Sequence, residues 1–141
     1  MQIRIHNSVT IPYRNMDTLD MSYDTIRTHE VFHGRRREGS VILKNGSYAR
    51  VHMLFKVTIS STIQDIAFIQ DYSSVPPSML SGDDSDTGFR CLMMEDLPST
   101  RFISPGEFVR GAFIVHADDN CGNRYFLNDF VDNDMYLQLN Q

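Results

Sequence analysis

Apolar residues recur at every second position along most of this chain. Residues 51–60 set Val51, Met53, Phe55, Val57 and Ile59 on one face, against His52, Lys56, Thr58 and Ser60 on the other, with Leu54 the one breach. Successive side chains of extended backbone point to opposite faces, so this is the clearest strand in the sequence. Shorter runs repeat the pattern. Ile3 and Ile5 alternate with Gln2, Arg4 and His6, and Ile66 and Phe68 with Ala67 and Ile69. Phe89, Cys91 and Met93 alternate with Arg90, Leu92 and Met94, and Val109, Gly111, Phe113 and Val115 with Arg110, Ala112, Ile114 and His116. Met135, Leu137 and Leu139 close the chain in the same style. The runs at 51–59 and 109–116 are expected to supply the central core.

Turn chemistry falls between these runs: Asn45-Gly46, Pro76-Pro77, Ser81-Gly82, Ser104-Pro105-Gly106 and Cys121-Gly122-Asn123. Short alternating runs separated by such signals, with no full amphipathic helix, predict an all-β fold. The expected architecture is an antiparallel β-sandwich of eight to ten strands, immunoglobulin-like, macroglobulin-like or jelly-roll, spanning residues 1–141 as a single domain. No internal repeat and no linker divides the chain.

Residues 29–33 read His-Glu-Val-Phe-His, which matches the H-E-x-x-H pattern of zinc peptidases. On a helix, His29 and His33 would lie one above the other, able to ligate one Zn²⁺ with Glu30 as base. On a strand the same residues cannot share a metal. Asp24 suits an N-cap and Gly34 a helix stop, but Thr25, Ile26, Thr28, Val31 and Phe32 are β-branched or aromatic and prefer strands. Apolar positions 26, 31 and 32 also miss the helical stripe. The strand reading is therefore favoured, with no catalytic and no metal-binding residue assigned and no cofactor expected.

Composition narrows the picture further. The chain has 141 residues, 41% hydrophobic and 22% charged, with a net charge of −5. Its thirteen basic residues are dispersed apart from Arg35–Arg37, and that triplet looks like a solvated hairpin tip. This argues against nucleic acid as the main partner, because phosphate binding needs a concentrated basic footprint. Cys91 and Cys121 do not make a disulfide framework, and spacing leaves open whether they pair. No apolar run is long enough for a membrane span, and the N-terminus lacks the apolar core of a signal peptide. A cytosolic or virion-borne protein is expected, or a fragment whose export signal lies elsewhere. Asp83, Asp84 and Asp86 lie in the long aperiodic stretch 73–88 and invite comparison with a Ca²⁺ loop, but lack the spacing and final Glu of an EF-hand.

One stretch resembles a known family. Leu43-Lys44-Asn45-Gly46 before a long strand, Gln64-Asp65-Ile66-Ala67-Phe68-Ile69-Gln70-Asp71, Ser104-Pro105-Gly106-Glu107-Phe108 and the closing Asp134-Met135-Tyr136 are laid out like the C-terminal β-sandwich of bacterial alpha-2-macroglobulins. The resemblance implies a strand over residues 24–33 and an extracytoplasmic location. It transfers no protease-trapping chemistry, because the reactive thioester of that family belongs to a different domain and its motif is absent here.

These observations point to a non-enzymatic module acting through its surface, with a protein partner or its own copies. The loops at 34–40, 73–88 and 117–123 are the expected contact surface. Two alternatives are a viral or phage particle subunit (capsid, decoration or tail) and a zinc hydrolase built on His29, Glu30 and His33.

Overall fold

The computed structural model describes residues 1–28, 31–32, 35–36, 39–75, 90–94, 99–116 and 124–127. These form fourteen strands, three of them only two residues long, and a single 3₁₀ turn. All pairings are antiparallel. The all-β, sandwich-like expectation holds, although the sheets do not close around one another.

The centre is a hairpin of two long strands, β7 (Tyr48–Ile59) and β8 (Thr62–Asp71). Outside β8 lies β11 (Thr100–Ile103). Along the other side of β7, β6 (Ser40–Leu43) pairs with its first half and β1 (Gln2–His6) with its second half. Strand β12 (Phe108–Ala112) then adds to β6, completing a six-stranded sheet. Local chemistry sets the turns. In the β6–β7 connection Gly46 takes a φ of 84°, and the Asn45 side chain accepts hydrogen bonds from the Ser47 amide and hydroxyl. The β7–β8 turn is less expected: Ser60 and Ser61 both have positive φ, 48° and 70°. Two adjacent left-handed residues match the twist of a two-residue hairpin, usually at Asn-Gly. A Ser-Ser pair carries no such signal, so local residue types do not mark a turn there.

A second hairpin, β2 (Ser8–Arg14) with β3 (Met21–Arg27), lies over one face of this sheet. Its Ile11 and Ile26 pack with Val41, Leu43, Ala49, Val51, Leu54, Ala67, Ile69 and Phe108 in the main core. Asp24 fastens the hairpin to β12. One of its carboxylate oxygens accepts from Arg110 Nε at 2.9 Å and from the Gly111 amide at 3.0 Å. The Arg110 guanidinium in turn stacks over the Tyr13 ring, 4.6 Å from its centroid. Gly111 allows the approach, since a Cβ there would stand 3.0 Å from Ile26 Cδ1.

The described residues cover the other face of the sheet only in part. Strands β13 (Ile114–His116), β14 (Arg124–Leu127), β10 (Arg90–Met93) and β9 (Ser73–Ser74) form a four-stranded sheet in that order. It meets the start of the central hairpin through Tyr72, Leu92, Met94, Tyr125 and Leu127, with Tyr48 packed alongside. The Arg50 guanidinium lies 5.2 Å from the Tyr125 ring centroid, and Ser40 and Tyr72 share a buried hydroxyl–hydroxyl hydrogen bond of 3.1 Å.

Two sequence expectations change here. The face of β7 reverses at His52: Val51 pairs with Ile69, but Met53 with Phe68, leaving His52 as an extra residue. A bulge of this kind shifts the alternation by one. Leu54, the apparent breach, is therefore core at 3% exposure, whereas Met53 is 36% exposed. The run 109–116 is not one central strand. It divides at exposed Phe113 between β12 and β13, which belong to different sheets, and β12 is an edge. A further register shift falls between Phe108 and Arg110, both of which are buried.

The expected strand at 135–139 and the turns at Pro76-Pro77, Ser81-Gly82 and Cys121-Gly122-Asn123 lie outside the described residues.

Candidate functional site

Past the bulge, the face opposite the main core carries Met53, Phe55, Val57 and Ile59 from β7. Cross-strand neighbours on one face share its direction, so Ile3 and Ile5 of β1 join them through pairing with Val57 and Phe55. Ile66 and Phe68 of β8 pair with Phe55 and Met53, and Phe102 of β11 pairs with Phe68. The rings form a chain: Phe68 to Phe102 at 4.9 Å and Phe55 to Phe102 at 6.5 Å between centroids, with His52 against Phe68 at 6.0 Å. These are ordinary distances for tilted aromatic pairs.

Among the described residues nothing covers this apolar surface. Phe102 is 66% exposed, Ile5 60% and Ile3 56%. Scattered exposed apolar residues need no explanation, but a contiguous set across four strands does. Apart from Arg50, which pairs with Gln70 and lies over the Tyr125 ring, no Asp, Glu, Lys or Arg of the described residues on these strands shares the face. Its polar members are His52, Thr62, Gln64, Gln70 and Thr100, and His52 Nε2 is fixed by Gln70 Oε1 at 2.8 Å. Charges on the neighbouring positions belong to the opposite side of the sheet. Asp71 holds Arg101 in a two-pronged contact of 3.0 and 3.2 Å, and this hydrogen bonding raises the guanidinium pKa above its ordinary value.

A cleft of about 270 Å³ opens on the other side of the hairpin, lined by His6, Ser8, Thr10, Lys56, Asp65 and Pro105 among others. His6 Nε2 is shielded from solvent and has no hydrogen-bond partner among the described residues. The Lys56–Asp65 pair at 3.9 Å is half exposed at both ends and holds little in place. The cleft has room for a small polar molecule but no preorganised charge to recognise one.

Of the H-E-x-x-H stretch, Val31–Phe32 form a strand, β4, paired with β5 (Arg35–Arg36). The backbone at Val31–Phe32 is therefore extended, as the propensities implied, while His29, Glu30 and His33 lie outside the described residues. Arg35 and Arg36 are on the returning strand of this small hairpin, not at its tip. Asp83, Asp84, Asp86 and Cys121 also lie outside the described residues, and Cys91 stands half-buried on β10. Among the described residues no three His, Cys, Asp or Glu gather as a metal site, and no helix is long and apolar enough to cross a membrane. The loops expected to make contacts are described only at 35–36, 39–40 and 73–75.

Sequence reasoning missed the open face. A signal was present in Ile66-Ala67-Phe68-Ile69, which is apolar on both sides of a strand and so requires cover for both. The chain matches no protein-family model, no curated protein and no solved structure.

Proposed function

We propose that this chain is a non-enzymatic β-sandwich module that works by docking its uncovered sheet face onto a protein surface, in protein binding or structural assembly. The observation that carries this reading is the contiguous, charge-free surface of Ile3, Ile5, Met53, Phe55, Phe68 and Phe102. Leaving such an area in water costs about 25 cal/mol per Å² relative to burying it. The absence of charge fits an apolar protein partner and does not fit nucleic acid, whose phosphates need cations. The likeness to the macroglobulin-like sandwich supports the same reading, since that family keeps its reactive chemistry in another domain.

A photo-crosslinking residue placed at Phe102, and separately at Lys56 on the opposite face, tests the reading in an extract of the source cells. Protein adducts are expected from position 102 and not from 56. Absence of adducts at 102, or equal yields at both positions, would show that the open face is not the docking surface.

A further inference from the structure

We infer that the occupant of this face is a second copy of the chain, packed sheet on sheet about a twofold axis; this rests on the docking reading above and names its partner. Three observations lead there. The first is area. The exposed parts of Ile3, Ile5, Met53, Ile59 and Phe102, with the half-buried residues between them, amount to roughly 600 Å², near the ~800 Å² per partner of a stable interface. The second is charge. The chain carries −5 overall, so two copies repel, yet the open face contributes nothing to that repulsion. A partner selected by charge would find no complement on it, whereas homodimer interfaces are the more apolar class.

The third is shape. Phe102 on β11 and Ile5 on β1 lie at opposite margins, with Phe55 between them on β7. A twofold axis running along the strands, in the plane between two such faces, sets the aromatic margin of each copy against the isoleucine margin of the other. Sheets pack face to face at ~10 Å with their strands nearly aligned, and here that arrangement turns a half-covered sheet into the middle of a closed sandwich.

Sedimentation velocity of the full chain tests this directly. A reversible doubling of mass is expected over the low-micromolar range. The Phe102→Lys/Ile5→Lys double variant should weaken association at least ~100-fold, because a charge buried against an apolar face lacks a partner. Phe102→Ser is a milder second variant should the double one fold poorly, and circular dichroism and the thermal midpoint report on folding. Ile63→Lys, exposed on the opposite side of the same hairpin, should leave the dimer intact. A wild-type chain monomeric throughout, or dissociation by Ile63→Lys equal to that by Phe102→Ser, would overturn the inference. The two readings fail separately. A monomer that still crosslinks another protein from position 102 overturns the second copy alone, and no adduct at 102 with any protein overturns both.

Discussion

In the first half of the β7–β8 hairpin, Ala49 and Val51 meet the β2–β3 hairpin, while Tyr48 and Arg50 meet the four-stranded sheet. In the second half, Leu54 and Ala67 are still covered, but Phe55 and Phe68 face outward with Phe102. Further on, Lys56 pairs with Asp65 and Thr58 with Ile63 on a ribbon that the described residues leave largely exposed. Among the described residues, one continuous pair of strands thus passes from two-sided to one-sided to little cover. The alternation along it remains regular except at His52, so patterning does not account for the change. What differs is the reach of the neighbouring layers. The difference teaches that an apolar face becomes core only where another layer arrives, and that a face with no such layer is the place to look for function.

The largest expected effect breaks this comparison at the bulge. Leu54→Ala should cost about 3 kcal/mol of unfolding free energy in urea titration, and Met53→Ala within about 0.5–1 kcal/mol. Equal losses would mean that the face does not reverse at His52. Next comes the fastening of the cover itself. Asp24→Ala removes the acceptor for Arg110 Nε and the Gly111 amide and leaves a guanidinium only 8% exposed without its carboxylate. A loss of about 3 kcal/mol is expected, with faster hydrogen exchange along β2 and β3 and little change in β8. A loss confined to a few tenths would detach Asp24 from the role given to it.

A stabilising change sharpens the comparison at its uncovered end. Replacing Ser60-Ser61 by Asn-Gly relieves two left-handed residues and should raise stability by about 0.5–1 kcal/mol in thermal unfolding. An unchanged or lowered midpoint would show that the turn is not strained. The smallest effect belongs to Lys56→Ala, where loss of a solvent-screened ion pair at 3.9 Å should shift stability by less than about 0.5 kcal/mol. A larger value would give the adjacent cleft a structural role that its exposure does not suggest.

How much of this was legible in the residues differs from element to element. The alternating runs at 2–6, 51–60 and 66–69 became β1, β7 and β8, and the β-branched and aromatic residues at 25–26 and 31–32 became strand, because extended backbone is a local preference. The turn at Asn45-Gly46 was equally plain. The Ser60–Ser61 turn was not, since serine carries no mark of a positive φ. The candidate site was half visible. Its apolar residues could be counted, but the bulge that turns Met53 outward and Leu54 inward depends on pairing with Phe68 and Ala67, which no local pattern encodes.

By itself the sequence determined an all-β chain, its principal strands, its lack of a basic footprint and the apolar stock available for burial. These follow from side-chain shape, backbone preference and charge, which act within a few residues. Only the tertiary structure decided which apolar faces are covered, where β7 reverses, and that Asp24 and Arg110, far apart in the chain, close on one another. Those outcomes depend on which distant strands share a sheet and how far each layer extends, and burial is a property of that assembly rather than of any segment alone.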